Sequence, residues 1–470
     1  MSFNDIIEKI DGWIWGWPLI ILILAAGIWL SVRTGFVQVF HLGKALKFMV
    51  VNEDDGEGEV TSFGALCTAL SATIGTGNIV GVATAICLGG PGALLWMLIA
   101  AFVGMATKYS EGFLAVRFRD KTEDGRYIGG PFYYIEKGLG EKWKWLGKLF
   151  SIFGILVGLF GVGTFTQING ITSAVNSFFD KNSEHIAFSV GSNSYTWATV
   201  IGGILVTVFA GFVIIGGIQR IAKVSEIVVP FMAVTYVVAV LIIVFTNIKA
   251  VPSAVELIVK SAFMPEAVLG AVSGITLKIA MQRGIGRGIF SNEAGLGSAP
   301  IAAASAKTKS PVRQGLVTMT GTFIDTIVIC TLTGLSIIVT GAYNAFEEGS
   351  FEGVNITTLA WQRGLPFNEN VSACILMICL TFFAFTTILG WDFYSERCLE
   401  YLTGTQKYVK PFRYIYILAV FFGPYMTVSS VWNISDICNG LMAFPNLIAL
   451  FALSGIIGKE TKEYFKVKNR

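Results

Sequence analysis

Residues 71–81 read SATIGTGNIVG, inside an apolar run that extends from about residue 63 to residue 88. A run of that length crosses a hydrocarbon core of about 30 Å as a helix. Its middle, Ile74-Gly75-Thr76-Gly77-Asn78, opposes a continuous helix. Each glycine costs about 1 kcal/mol relative to alanine in a helix interior, and Thr and Asn side chains compete for the backbone's own hydrogen bonds. Backbone that leaves a helix at membrane depth is tolerated only where protein buries it or water reaches it. The stretch therefore reads as a broken helix lining a cavity.

The whole chain fits a membrane setting. Of its 470 residues 54% are hydrophobic and only 14% charged, where soluble domains carry about 25%; mean hydropathy is +0.67. Runs at 15–32, 63–88, 93–116, 149–179, 197–217, 224–245, 267–281, 315–340, 371–394, 412–427 and 434–457 predict about eleven spans. The fold class expected is an all-α polytopic membrane protein. The first dozen residues are mixed in charge and lack a small-residue cleavage site, so the first span is expected to stay.

Lys and Arg cluster in alternate loops, around 33–47, 117–144, 220–223, 283–313, 397–413 and the 458–470 tail. The positive-inside rule makes these cytoplasmic, with the N-terminus outside and the C-terminus inside the cell membrane. An odd number of spans requires the same. Setting aside residues 1–61 as an extra helix and linker leaves five spans in 62–246, a connection at 247–266, and five in 267–457. Two five-span blocks face opposite ways, the mark of an inverted repeat. The second block has its own disrupted first helix, Gly270-Ala271-Val272-Ser273-Gly274-Ile275-Thr276. Paired Gly-interrupted segments point to a transporter's binding site.

A broken helix offers free N–H groups near Asn78, suited to a carboxylate, and free carbonyls near Ala72 to Gly75, suited to a cation. Thr386 and Thr387 carry hydroxyls fit for a hard cation, although membrane threonines usually bond back to their own helix. Trp391 follows one turn later and walls a small pocket or simply packs. Phe165 and Gln167 lie in the fourth span, where a glutamine needs a polar partner. Lys108, Glu111, Glu226 and Glu396 fall near predicted cytoplasmic ends, where snorkelling and pairing account for them. Asp325 lies deeper, as a gate, a proton site or a partner of Lys278. The SNEAGLGSAP segment, residues 291–300, falls in a predicted cytoplasmic connection.

Other chemistry finds little support. Seven scattered cysteines form no CxxC pair, and two histidines supply neither a metal cluster nor a Ser-His triad. No HExxH, Walker A motif or clustered mid-span acid pair argues for an enzyme or ATP-driven pump. GTGNIVG lacks the strand that a dinucleotide fingerprint needs. No nucleic-acid partner is expected.

The blocks SATIGTGNIVGVATAICLGGPGALLWMLIAAFVGMATKYSE, YIGGPFYY, IFSNEAGLGSAPIAAASAKT and PVRQGLVTMTGTFIDTIVICTLTG resemble the alanine or glycine:cation symporter family. The resemblance implies a leucine-transporter-like fold of five plus five inverted helices with an extra N-terminal helix, and no cofactor. It implies sodium-coupled import of alanine or glycine by alternating access. Gly75, Thr76, Gly77, Asn78, Phe165, Gln167, Ile275 and Trp391 would hold the amino acid. Ala72, Gly75, Gly274, Thr386 and Thr387 would hold Na+. A proton-coupled carrier, with Asp325 or Glu226 bearing the charge, is the nearest alternative; a channel and a membrane-embedded enzyme are more distant.

Overall fold

The computed structural model describes residues 3–51, 53, 56–180, 182–190, 193–264, 275–348, 353–426 and 428–468, and these are mostly helical. Helix α1 (Phe3–Ile14) leads into α2 (Trp17–Thr34), which Gly35 stops in a left-handed conformation at φ 71°. Next come α3 (Ser62–Thr73), a π-helical turn over Gly77–Gly81, and α4 (Val82–Gly89). Thr61 caps α3 by accepting from Gly64 N at 2.8 Å. The first block continues with α5 (Ala93–Arg117), α6 (Lys144–Phe160), α7 (Phe165–Phe179), α8 (Trp197–Ile214), α9 (Gly217–Thr246) and α10 (Val251–Phe263).

The second block opens with α11 (Leu277–Asn292) and the short α12 (Ala299–Ala303). Helices α13 (Pro311–Thr322) and α14 (Thr331–Val339) run on either side of a π-helical stretch, Phe323–Cys330. They are followed by α15 (Gly353–Gly364), α16 (Glu369–Thr403), α17 (Val409–Phe422) and α18 (Val428–Lys468).

Among the described residues, eight helices are long and apolar enough to cross a membrane, and α3 with α4 makes a ninth span bent by 55°. The other two expected spans correspond to shorter pieces, α11–α12 and α17. The chain is a multi-pass membrane protein. Exposed Ile201, Leu205, Phe209 and Phe212 on α8 suit a hydrocarbon solvent. Small residues let the helices approach closely: a Cβ on Gly27 would stand 2.9 Å from Val103 O.

Helix α18 joins α1 near its start and the end of α5 near its finish. Trp15 donates to Asp436 O at 2.7 Å, while Arg117 pairs with Glu460 at 3.0 Å at the other end of α18.

Three expectations change here. The fourth span is interrupted at residues 161–164, between α6 and α7. The break expected at Gly270 to Thr276 falls mostly outside the described residues, and a further break appears in the second block. Residues 265–274 lie outside the described residues, and from Thr276, which caps it, α11 runs unbroken to Asn292. The further break comes at 293–298, inside SNEAGLGSAP, which is buried rather than part of a cytoplasmic connection. Arg283 and Arg287 consequently stand on the α1 face, beside Asp11 and Asp436, and leave the basic set assigned to the other side.

Candidate functional site

The first break is held open by side chains from three helices. Gly75 N donates to Asn78 Oδ1 at 2.9 Å, and Thr76 N donates to Gln167 Oε1 of α7 at 3.2 Å. Thr387 Oγ1 on α16 lies 3.3 Å from Ile74 O and 3.0 Å from Phe383 O. These bonds satisfy backbone that the helix cannot, which is why irregular chain survives at this depth. Thr76 Oγ1 is buried with no hydrogen-bond partner among the described residues, and its methyl faces Gly170.

The second break meets the first. A Cβ on Gly77 would stand 3.4 Å from Ser291 Cα. Glu293 takes a left-handed φ of 55°, and Gly295 and Gly297 follow at 90° and 84°. Buried Glu111 on α5 accepts from Gly295 N at 3.1 Å and Gly297 N at 3.2 Å, and Asn446 of α18 donates to it at 2.7 Å. Glu293 accepts from Trp391 Nε1 at 3.1 Å and from Ser298.

Asp325, fully buried in the π-helical stretch, ties the two breaks together. Its carboxylate accepts from Asn78 Nδ2 at 2.7 Å, Ser291 Oγ at 2.9 Å and Thr326 Oγ1 at 2.6 Å. Charge-assisted bonds of this kind are about twice as strong as neutral ones. Lys108, buried on α5, sends its charge toward Glu111, Glu293 and Asp325, yet among the described residues its Nζ has no hydrogen-bond partner. Beside it lies a void of about 10 Å³ bounded by Thr73, Asn292 and Thr318, room for about one water.

A cavity of about 550 Å³ joins Thr76, Gly77 and Val80 to the α1 face. At the far end of α5 the loops are tied together. Arg119 donates to the carbonyls of Ala304 (3.0 Å), Ala306 (2.8 Å), Glu57 (2.9 Å) and Thr308 (2.6 Å). Val60 and Ala306 form a parallel bridge beneath it.

The structure therefore gathers Gly75, Thr76, Gly77, Asn78, Gln167 and Thr387 at one place. Ala72 is next to them, since a Cβ on Gly390 would stand 2.8 Å from its Cα. Trp391 joins through Glu293. Thr386 is turned aside, with Oγ1 3.5 Å from Met232 Sδ on α9 and 3.0 Å from Phe383 O. Phe165 packs on Phe160 at 5.9 Å between ring centres; two residues from Gln167, it points some 200° away around the helix. Ile275 precedes α11, about 24 Å of helix rise from Ser291, and is not at the break. Gly274 lies outside the described residues.

Lys278 is exposed at the start of α11, so it is not the partner of Asp325. Lys108 and Glu111 are interior groups rather than snorkelling ones. Glu396 does pair, with Arg413, and Glu226 accepts from Thr61 at 3.0 Å. Glu111 was read only as a group near a cytoplasmic end, and Ser291, Asn292 and Glu293 were missed as candidate site residues. Their signal was a polar triplet followed by Gly295, Gly297 and Pro300, the same punctuation that exposed IGTGN.

The sequence profile of the sodium:alanine symporter family matches residues 1–470. The chain belongs to that family. It is 43% identical over 472 residues to the sodium/alanine symporter AgcS of Methanococcus maripaludis, covering 100% of this chain and 98% of the relative. An uncharacterized transporter of Haemophilus influenzae is 49% identical over 466 residues, covering 99% and 97%. A probable sodium/glutamine symporter of Bacillus subtilis is 36% identical over 475 residues, covering 99% and 92%. The crystal structure of MhsT in complex with L-phenylalanine superposes with a TM-score of 0.52 at 13% identity, covering 85% of this chain and 99% of that one. That likeness shows a leucine-transporter-like fold. This family member is a transporter of the amino-acid/sodium symporter class, not an enzyme.

Proposed function

We propose that this symporter imports a small neutral amino acid, alanine or glycine, together with Na+, by alternating access. The observation that carries the reading is the meeting of two helix breaks under a cavity that opens to the α1 face. The helical N-terminus that starts after Thr76 suits the substrate carboxylate. Trp391, fixed by Glu293, limits the room for a side chain. Na+ sits by Thr387, Ile74 O and the Ala72–Gly75 turn, with Asp325 as the nearest negative charge bonded to the break. Ion binding there orders the turn that receives the carboxylate, and coupling is the resulting difference in affinity between states.

The reading includes two oppositely facing five-helix halves, residues 62–246 and the part from α11 to about 457, each opening with a broken helix. It places the chain in the cell membrane with the α1 face outside. Arg117, Arg119, Lys121 and Arg126 at the far end of α5 support that orientation. The test is uptake of labelled alanine by proteoliposomes under an inward sodium gradient. Equal uptake with K+ replacing Na+ would remove sodium coupling. Competition by glycine but not leucine is expected.

Asp325 favours one second reading, a proton-driven carrier, because a buried carboxylate at the joint of the breaks can hold a proton in place of a cation. External alkalinisation during sodium-free uptake would establish that reading.

A further inference from the structure

The mouth of the cavity holds charge that the transport site does not use. Arg283 and Arg287 stand one turn apart on α11, and Asp11 of α1 and Asp436 of α18 line the same cavity. Arg287 Nη1 is 3.9 Å from Asp436 Oδ2, a loose pair. Among the described residues, Oδ1 of Asp11 and Oδ1 of Asp436 have no hydrogen-bond partner, although both atoms are shielded from solvent. Asp436 is only 9% exposed.

The wall is pinned nonetheless. Trp15 Nε1 donates to Asp436 O at 2.7 Å, and Gln282 Nε2 reaches Trp15 O at 3.5 Å. The Asp436 backbone is thus held in position while one oxygen of each acid is left unsatisfied, a state that costs free energy until a donor arrives.

The mix of signs selects the ligand. A lone cation would face two guanidinium groups, and a lone anion would face Asp11, Asp436 and Glu8. A zwitterion meets both signs, its carboxylate on the guanidinium groups and its ammonium on the two acids. We infer that this is an outer binding site for an amino-acid zwitterion, filled before the molecule descends to Thr76 and Gly77. The inference rests on the symport reading above, and it gives α1, which precedes the two five-helix halves, a part in substrate capture.

The test is binding stoichiometry. The full chain in nanodiscs with sodium is equilibrated with labelled alanine over a wide concentration range. Two sites per chain are expected. Asp11→Asn with Arg287→Gln leaves one and raises the KM of uptake by at least about fivefold; Trp391→Ala removes the other. One site in the unaltered chain, with sodium-driven uptake intact, overturns the outer site and leaves the symport reading standing. Loss of sodium-driven uptake in the unaltered chain overturns the symport reading instead. Should the double variant lose both sites, the milder Asp11→Asn decides: two sites remaining with unchanged affinity overturns the proposal.

Discussion

Gly75 has no space for a side chain. A Cβ there would stand 2.5 Å from Thr387 Oγ1 and 3.0 Å from Gln167 Oε1, the two groups that hold the break. Overpacking of this kind costs about 1–3 kcal/mol, so Gly75→Ala is expected to cut sodium-driven alanine uptake by roughly 10- to 100-fold while the protein still inserts. Uptake within twofold of the unaltered chain would place Thr387 outside the ion site. Asp325 invites a subtler change. Asp325→Asn keeps the shape but removes the charge that accepts from Asn78, Ser291 and Thr326. Bonds to charged groups contribute about 1.5–3 kcal/mol, and the sodium concentration for half-maximal uptake should rise by about 10- to 100-fold. An unchanged half-maximal concentration would argue that Asp325 only braces the fold.

The second break depends on backbone conformations that few residues adopt. Gly297 has φ 84°, and a Cβ there would meet Pro131, Asn446 and Phe150 at 2.8–2.9 Å. The left-handed backbone costs about 1–2 kcal/mol and the crowding a further 1–3, so Gly297→Ala should lower the melting temperature by several degrees. Gly125 makes a control, with φ 83° but nothing within 4 Å of an added Cβ; Gly125→Ala should cost the strain alone. Equal melting shifts for the two variants would show that packing at the break adds nothing. On the opposite face one guanidinium ties four loop carbonyls beside the Val60–Ala306 bridge. Arg119→Gln loses most of four carbonyl contacts, and a cysteine introduced at Ala306 should then react several times faster with a membrane-impermeant maleimide added from that side.

The molecule as a whole should be stabilised by its coupling ion. A ligand that binds only the folded state at 100 times its Kd adds about 2.7 kcal/mol. NaCl should therefore raise the melting temperature of the purified symporter above its value in equal concentrations of KCl or choline chloride, and Thr387→Ala should diminish the difference. No sodium-specific shift would count against an ion site made by this chain.

How much of this was legible in the sequence follows from where each signal resides. Composition and run length are local, so the multi-pass helical class could be read directly, as could the first break, where two glycines and an asparagine interrupt an apolar run. The family blocks extended that reading to the fold. The break at 293–298 was not read from the sequence because Leu277 to Asn292 carries Lys278, Arg283 and Arg287 and reads as a membrane boundary, whereas Gly270 to Thr276, largely outside the described residues, stands in a more apolar window. Tertiary structure reverses that reading. The arginines face acids from α1 and α18 across a cavity, and Glu111, Asn446 and Trp391 satisfy the buried polar stretch that follows. The sequence alone determined that this chain breaks a helix inside the membrane. Which second segment meets that break, and which acids it shares, was decided only by packing, because their hydrogen-bond partners lie on helices far away along the chain.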